Sequence, residues 1–179
     1  VKNNVYELPN GVAHFLEHIN FNEKDGKTAH DFFNKMGSSI NAFTTFEYTS
    51  YEVYGTTDII LNVNHLLDYV ETPVITKELV KKESGIIVEE VKMGDNNPGN
   101  KMYYGTNKIV VHTNKKRNPV TGTVEDVENI TAENLKLVYN TFYHPSNMFL
   151  IVTGNFNPYE MMMAIKENQD NKKFPKYAN

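Results

Sequence analysis

The chain has 179 residues, 40 % of them apolar and 22 % charged, and a net charge of −4. That suits a single domain spanning 1–179 with a sizeable core, and it gives no reason to expect a nucleic-acid partner. Cysteine is absent, so there is no disulfide framework and a metal would have to use nitrogen and oxygen ligands.

The N-terminal Val1-Lys2-Asn3-Asn4 is polar, which does not match a signal peptide. From Gly11 to about Phe21, the apolar residues Val12, Phe15, Leu16 and Ile19 recur at helical spacing. A second helix is predicted from Thr28 to Lys35, with Gly37 beyond its end. Ser39 to Tyr54 is rich in Thr, Tyr, Phe and Val and reads as two strands. Thr57 is a candidate cap for a helix that Pro73 ends, and Thr76 for a longer one reaching about Met93 and stopped by Gly94 and the polar run Asp95-Asn96-Asn97-Pro98. Lys115-Lys116-Arg117 is a short basic cluster among asparagines, expected to be a solvated loop. Thr123 and Thr131 are candidate caps for two more helices. Met148 to Thr153 reads as a short apolar strand, and Asn157-Pro158 opens a last helix. The tail after Asn168 is polar and is expected to fray. No apolar run reaches the ~20 residues of a membrane span. Strands mixed with helices, without strict alternation, predict an α+β fold with a mixed or antiparallel sheet and helices packed on it.

His14-Phe15-Leu16-Glu17-His18 is an H-x-x-E-H run. Residues three and four apart share a helix face, so both imidazoles can reach one zinc ion, with Glu17 beside the open coordination position. There a carboxylate can take a proton from a metal-activated water. The apolar stripe lies about 200° round the same helix, so one face is expected to pack and the other to carry chemistry. A catalytic zinc site usually takes three protein ligands. The helix after Thr76 offers Glu83, Glu89 and Glu90. Glu83 and Glu90 are nearly two full turns apart and share a face; Glu89 points elsewhere, towards solvent. We read Glu90 as the third ligand and Glu83 as the group that orients a histidine or the water. The competing reading of Glu83 is a surface charge paired with Lys81 or Lys82. Gly85, inside this helix, suggests a close approach by another backbone. His30, His65, His112 and His144 are isolated and read as structural or solvated.

The motifs resemble those of the pitrilysin/insulinase family of zinc metallopeptidases. Gly11-Val12-Ala13-His14-Phe15-Leu16-Glu17-His18 matches its G-x-A-H-F-L-E-H pattern, and Glu83-Ser84-Gly85-Ile86-Ile87-Val88-Glu89-Glu90 stands where its third ligand is found. Gly37 to Thr44 resembles the family's G-x-x-x-N-A-x-T strand entry, and Tyr143 to Met148 its Y-x-P-x-N-M junction. The likeness is greatest to the bacterial, cytoplasmic branch, and with the lack of cysteine it leads us to expect a cytoplasmic protein.

The resemblance implies one Zn2+ held by His14, His18 and Glu90, with Glu17 as base and a peptide as substrate. It also implies that Asn41, Ala42, Phe43 and Thr44 form a sheet edge that pairs with the substrate backbone. Members of this family carry earlier strands before the motif and a homologous C-terminal half, or a second family subunit, that closes over the cleft. Only ten residues precede Gly11 here, so the expectation is one metal-binding half-unit without its first strands and poorly active alone. The alternative is a non-catalytic scaffold subunit of such an assembly. A purely structural zinc domain is a third reading, but it has no use for a glutamate between the two histidines.

Overall fold

The computed structural model describes residues 7–174; the N-terminal Val1 to Asn4 stretch and the end of the polar tail lie outside them. Eight α-helices and one two-stranded sheet form the α+β fold expected, among the described residues. The helices are α1 Val12–Asn20, α2 Ala29–Lys35, α3 Ile59–Glu71, α4 Lys77–Asn96, α5 Pro98–Val110, α6 Val124–Asn129, α7 Ala132–Phe142 and α8 Pro158–Asp170. The strands β1 Ser39–Thr44 and β2 Thr49–Tyr54 pair as a hairpin. No described helix is long and apolar enough to cross a membrane.

The chain divides into two compact units. The first comprises the residues up to Ile19, the hairpin tip Thr44–Thr49, and Ile75–Leu137. Its buried apolar residues include Phe15, Leu16 and Ile19 from α1, Val80, Ile87 and Val91 from α4, Val127 from α6, and Leu135 from α7. Thr76 caps α4 by accepting from the Leu79 N–H at 3.2 Å, as its position predicts. Thr123 caps α6 in a reciprocal box with Asp126.

Asp126 has a second task. Its carboxylate also accepts from the backbone N–H of Asn10 at 3.1 Å, fixing the residue that leads into α1. Burial works against this carboxyl's charge, but hydrogen bonds from Thr123 and Asn10 hold it below the usual aspartate range. Beside it, Gly11 (φ +82°) and Gly122 (φ +75°) face each other's chain so closely that a Cβ on Gly11 would lie 2.1 Å from the Thr121 carbonyl oxygen.

The first glycine of the metal motif is therefore a packing requirement. Gly85 is the opposite: it is exposed, and a Cβ there would meet nothing within 4 Å. Among the described residues, the close backbone approach expected at Gly85 is not found. Two alanine substitutions should therefore differ in sign. Gly11→Ala should destabilise the chain by about 2 kcal/mol or more, and Gly85→Ala should stabilise it by about 0.4–1 kcal/mol. Denaturant midpoints of both variants check this.

In the second unit, Asn20–Phe43, Ser50–Val74 and Val138 onward, Ala29, Phe33 and Tyr69 centre a cluster. Phe21, Phe32, Ile40, Tyr51, Val53, Leu66 and Val70 pack round it. Lys172 near the end of α8 meets Asp68 and Glu71 of α3, at 2.7 and 2.5 Å. His65 stacks on Phe32 at 3.7 Å and lies 2.6 Å from Glu23, so it is structural as expected.

Three further expectations need correction. The N-cap of α3 is Asp58, in a left-handed conformation without a side-chain cap bond, and the Thr57 hydroxyl donates instead to the Met36 carbonyl. Helix α4 runs on through Gly94 to Asn96, past the expected end near Met93, and stops only at the Asn97-Pro98 end of the polar run. Asn97 turns its side chain to cap α5, and Pro98 has no N–H with which to continue α4. Met148 to Thr153 forms no strand, since among the described residues it has no hydrogen-bonded neighbour strand. Two of its apolar side chains stand in the open, Phe149 98 % and Ile151 82 % exposed.

The basic cluster Lys115–Arg117 is exposed, as expected, on a short 3-10 turn, and side-chain contacts hold it in place. Lys116 pairs with Glu47 at 2.8 Å and lies over the Phe46 ring, and Arg117 donates to the His112 carbonyl.

Candidate metal centre

The centre lies within the first unit, on α1, α4 and the hairpin tip. Helix α1 begins where Asn10 and Gly11 are locked against Asp126 and Thr121. Its apolar stripe of Phe15, Leu16 and Ile19 is completely buried. The opposite face is covered too. His14 is 8 % exposed and Glu17 6 %, so the helix sets the face that carries them inside the protein, away from bulk water. Helix α4 buries Val80, Glu83, Ile87 and Val91 along one side, which turns Glu83 and Glu90 the same way. Glu89 is turned to solvent and pairs with Lys92 at 2.7 Å.

His14, His18 and Glu90 converge. One ligand atom from each lies within 4.8 Å of the others, the one such group among the described residues. His14 Nε2 is 3.5 Å from one Glu90 carboxylate oxygen, and His18 Nε2 is 3.4 Å from the other. Ligands held about 2.0–2.2 Å from one tetrahedral ion lie roughly 3.4 Å apart, so these spacings fit a single zinc. The donor set, two imidazoles and one carboxylate, is also a zinc set. His14 Nδ1 is buried without a hydrogen-bond partner.

Glu83 is buried, so it is not the surface charge of the competing reading; its Oε2 lies 3.8 Å from His18 Nδ1, and its Oε1 lies 3.8 Å from Lys82 Nζ. Burial alone would lower the pKa of His18. The carboxylates of Glu83 and Glu90 outweigh it, with Glu17 adding a smaller push, and raise it to about 9. Glu90 is held well below the usual carboxylate range by His14 and His18. In the absence of metal, a proton on His18 partly stands in for the cation.

The Glu17 side chain accepts a hydrogen bond from the Thr44 hydroxyl, 2.6 Å from Oγ1 to Oε2. Thr44 belongs to the proposed substrate strand, and this side-chain contact is not visible in the sequence. Along β1, Asn41 and Phe43 are exposed, while Ile40, Ala42 and Thr44 are half-buried. The sheet has two strands among the described residues, so β1 pairs with β2 on one side only. Tyr103 and Tyr104 pack edge to face on α5.

Comparison with known proteins agrees with this geometry. Residues 5–124 match the family model described as insulinase (peptidase family M16), and residues 129–179 match that of the M16 inactive domain. The chain is 40 % identical over 173 residues to YmfH of Bacillus subtilis, described as an uncharacterized zinc protease. That alignment covers 97 % of this chain and 40 % of the relative. Among solved structures, an M16-like peptidase from Alicyclobacillus acidocaldarius superposes with a TM-score of 0.94 at 40 % identity. There, 98 % of this chain and 41 % of the other are covered. Pitrilysin shares the fold, with a TM-score of 0.68 at 19 % identity, over 92 % of this chain and 20 % of its own. The chain spans about two fifths of the length of the first two of these relatives. It belongs to the insulinase family of peptidases, peptidase family M16.

Proposed function

We propose that the chain is the metal-binding half of a zinc peptidase that hydrolyses peptide bonds. The observation that supports it most is the convergence of His14, His18 and Glu90 with a buried carboxylate, Glu17, one helical turn from His14. When bound, zinc supplies Lewis acidity, bringing a water's pKa towards ~7 and polarising a carbonyl. Glu17 takes the proton of the attacking water and returns it to the departing amine. Glu83 orients His18. Asn41, Ala42, Phe43 and Thr44 of β1 line the backbone of an extended peptide substrate, a contact every sequence can make. A homologous second half completes the cleft.

A non-catalytic scaffold role is the competing reading, and the match of residues 129–179 to an inactive domain speaks for it. That segment contains none of the four residues His14, Glu17, His18 and Glu90, so it leaves the chemistry of the first unit untouched. The deciding experiment uses the chain together with its second half. It should bind one zinc per chain, lose peptide cleavage on chelation and recover it when zinc is restored. Cleavage that persists after complete chelation, or zinc that binds equally well without His14 and His18, would sink the reading.

A further inference from the structure

The hairpin tip is built to hold one hydroxyl still. Thr45 Oγ1 accepts from the N–H groups of Glu47 and Tyr48 and donates to the Tyr48 carbonyl, while the Thr45 N–H donates to that same carbonyl at 2.8 Å. This closes the turn between β1 and β2 upon itself. From outside, Lys116 pins the tip through Glu47 and the Phe46 ring. Thr44 sits at the base of this turn. Its Oγ1 is 2.6 Å from Glu17 Oε2 and 3.2 Å from Thr49 Oγ1. A hydroxyl has one proton to give, and the carboxylate is the stronger acceptor. Thr44 therefore donates to Glu17, and Thr49 donates to Thr44.

We propose that Thr44 is a positioning residue for Glu17: its hydroxyl, set by Thr49 and the closed turn, fixes Oε2 so that Oε1 is the oxygen presented to the attacking water. This rests on the peptidase reading above. The physical need is plain. A glutamate side chain has three rotatable bonds, and a general base works only when held within about an ångström of its reacting geometry. Glu17 is almost fully buried, and a buried carboxylate with one oxygen bound has little freedom left. The contact also gives β1 a task besides pairing with a substrate, because the strand's last residue reaches the base.

The test compares Thr44→Val, which keeps the shape and removes the donor, with Thr44→Ser, which keeps the donor. Both are made in the chain assembled with its second half, with Glu17→Gln as control. For Thr44→Val, kcat should fall roughly tenfold to a hundredfold, with KM and zinc affinity within about twofold of the parent. Thr44→Ser should retain most of the parent's turnover. A crystal structure of Thr44→Val should show the Glu17 carboxylate rotated away from its position in the parent, a readout that holds even where turnover is too slow to measure. The proposal is overturned if Thr44→Val keeps the parent's kcat, if it raises KM alone, if serine does no better than valine, or if Glu17 stays in place without the hydroxyl. Turnover by Glu17→Gln at the parent's rate would instead refute the underlying base assignment, so the two failures are distinguishable.

Discussion

Glu17→Gln should lower kcat for peptide hydrolysis by about 10²–10⁴-fold, the range that general acid–base groups contribute, while zinc affinity changes little. The amide has nearly the volume of the carboxylate and can still accept a hydrogen bond from Thr44, so the buried site keeps its packing. What it loses is the ability to take a proton. His14, His18 and Glu90 are untouched by the change, and their spacing does not depend on Glu17. Stopped-time cleavage assays, paired with metal analysis of the same sample, check both halves of this expectation. Turnover near that of the parent would assign the base elsewhere.

The second large effect is expected at His18. His18→Ala should weaken zinc binding by on the order of 10³-fold or more, since two remaining ligands no longer close a three-ligand site. Glu83→Gln, which disturbs only the orientation of the imidazole, should cost about 10–100-fold. The parent's affinity should also depend on pH in a set direction. With its pKa raised to about 9 in the metal-free chain, His18 carries a proton at neutral pH, and zinc requires the neutral ring. Binding therefore expels that proton. Apparent affinity should rise about tenfold per pH unit from pH 7 towards 9 and then level off. Calorimetry in buffers of different ionisation enthalpy would count the released proton. An affinity flat across that range would contradict the raised pKa.

Much of this was legible in the sequence because helix geometry is local. The spacing of His14, Glu17 and His18, and of Glu83 and Glu90, fixes which side chains share a face. The caps at Thr76, Thr123 and Asn157 follow from side-chain chemistry within three residues. Helix α5 was not expected, although Asn97-Pro98 carries the same cap-and-proline signal as Asn157-Pro158; in the sequence it reads only as a stop for α4.

What stayed hidden depends on residues far apart in the chain. Nothing near Gly11 reveals the carbonyl of Thr121, and nothing near Gly85 reveals that the space beside it is empty. The strand expected at Met148 to Thr153 has the right composition, but a strand exists only when a neighbour completes its ladder. The contact between Thr44 and Glu17 joins residues 27 apart, and no periodicity reports a hydroxyl's choice of partner. The expected separation of a packing face from a chemistry-bearing face on α1 was legible, but the burial of the second face was not. The apolar stripe was there to read, but the cover over the other side comes from elsewhere in the chain.

That double burial of α1 has an evolutionary consequence. In the nine residues of this helix, Phe15, Leu16 and Ile19 fill the interior, and His14, Glu17 and His18 form the site. Asn20 is fully buried and donates to the Tyr51 hydroxyl. Selection for folding and selection for chemistry act on the same short segment, so neutral drift has few places there to settle. Divergence between relatives should instead collect on surfaces such as α5, where no residue is buried. Attempts to evolve new specificity from this scaffold would start there and at the exposed positions of β1, with the metal helix left as an inherited constant.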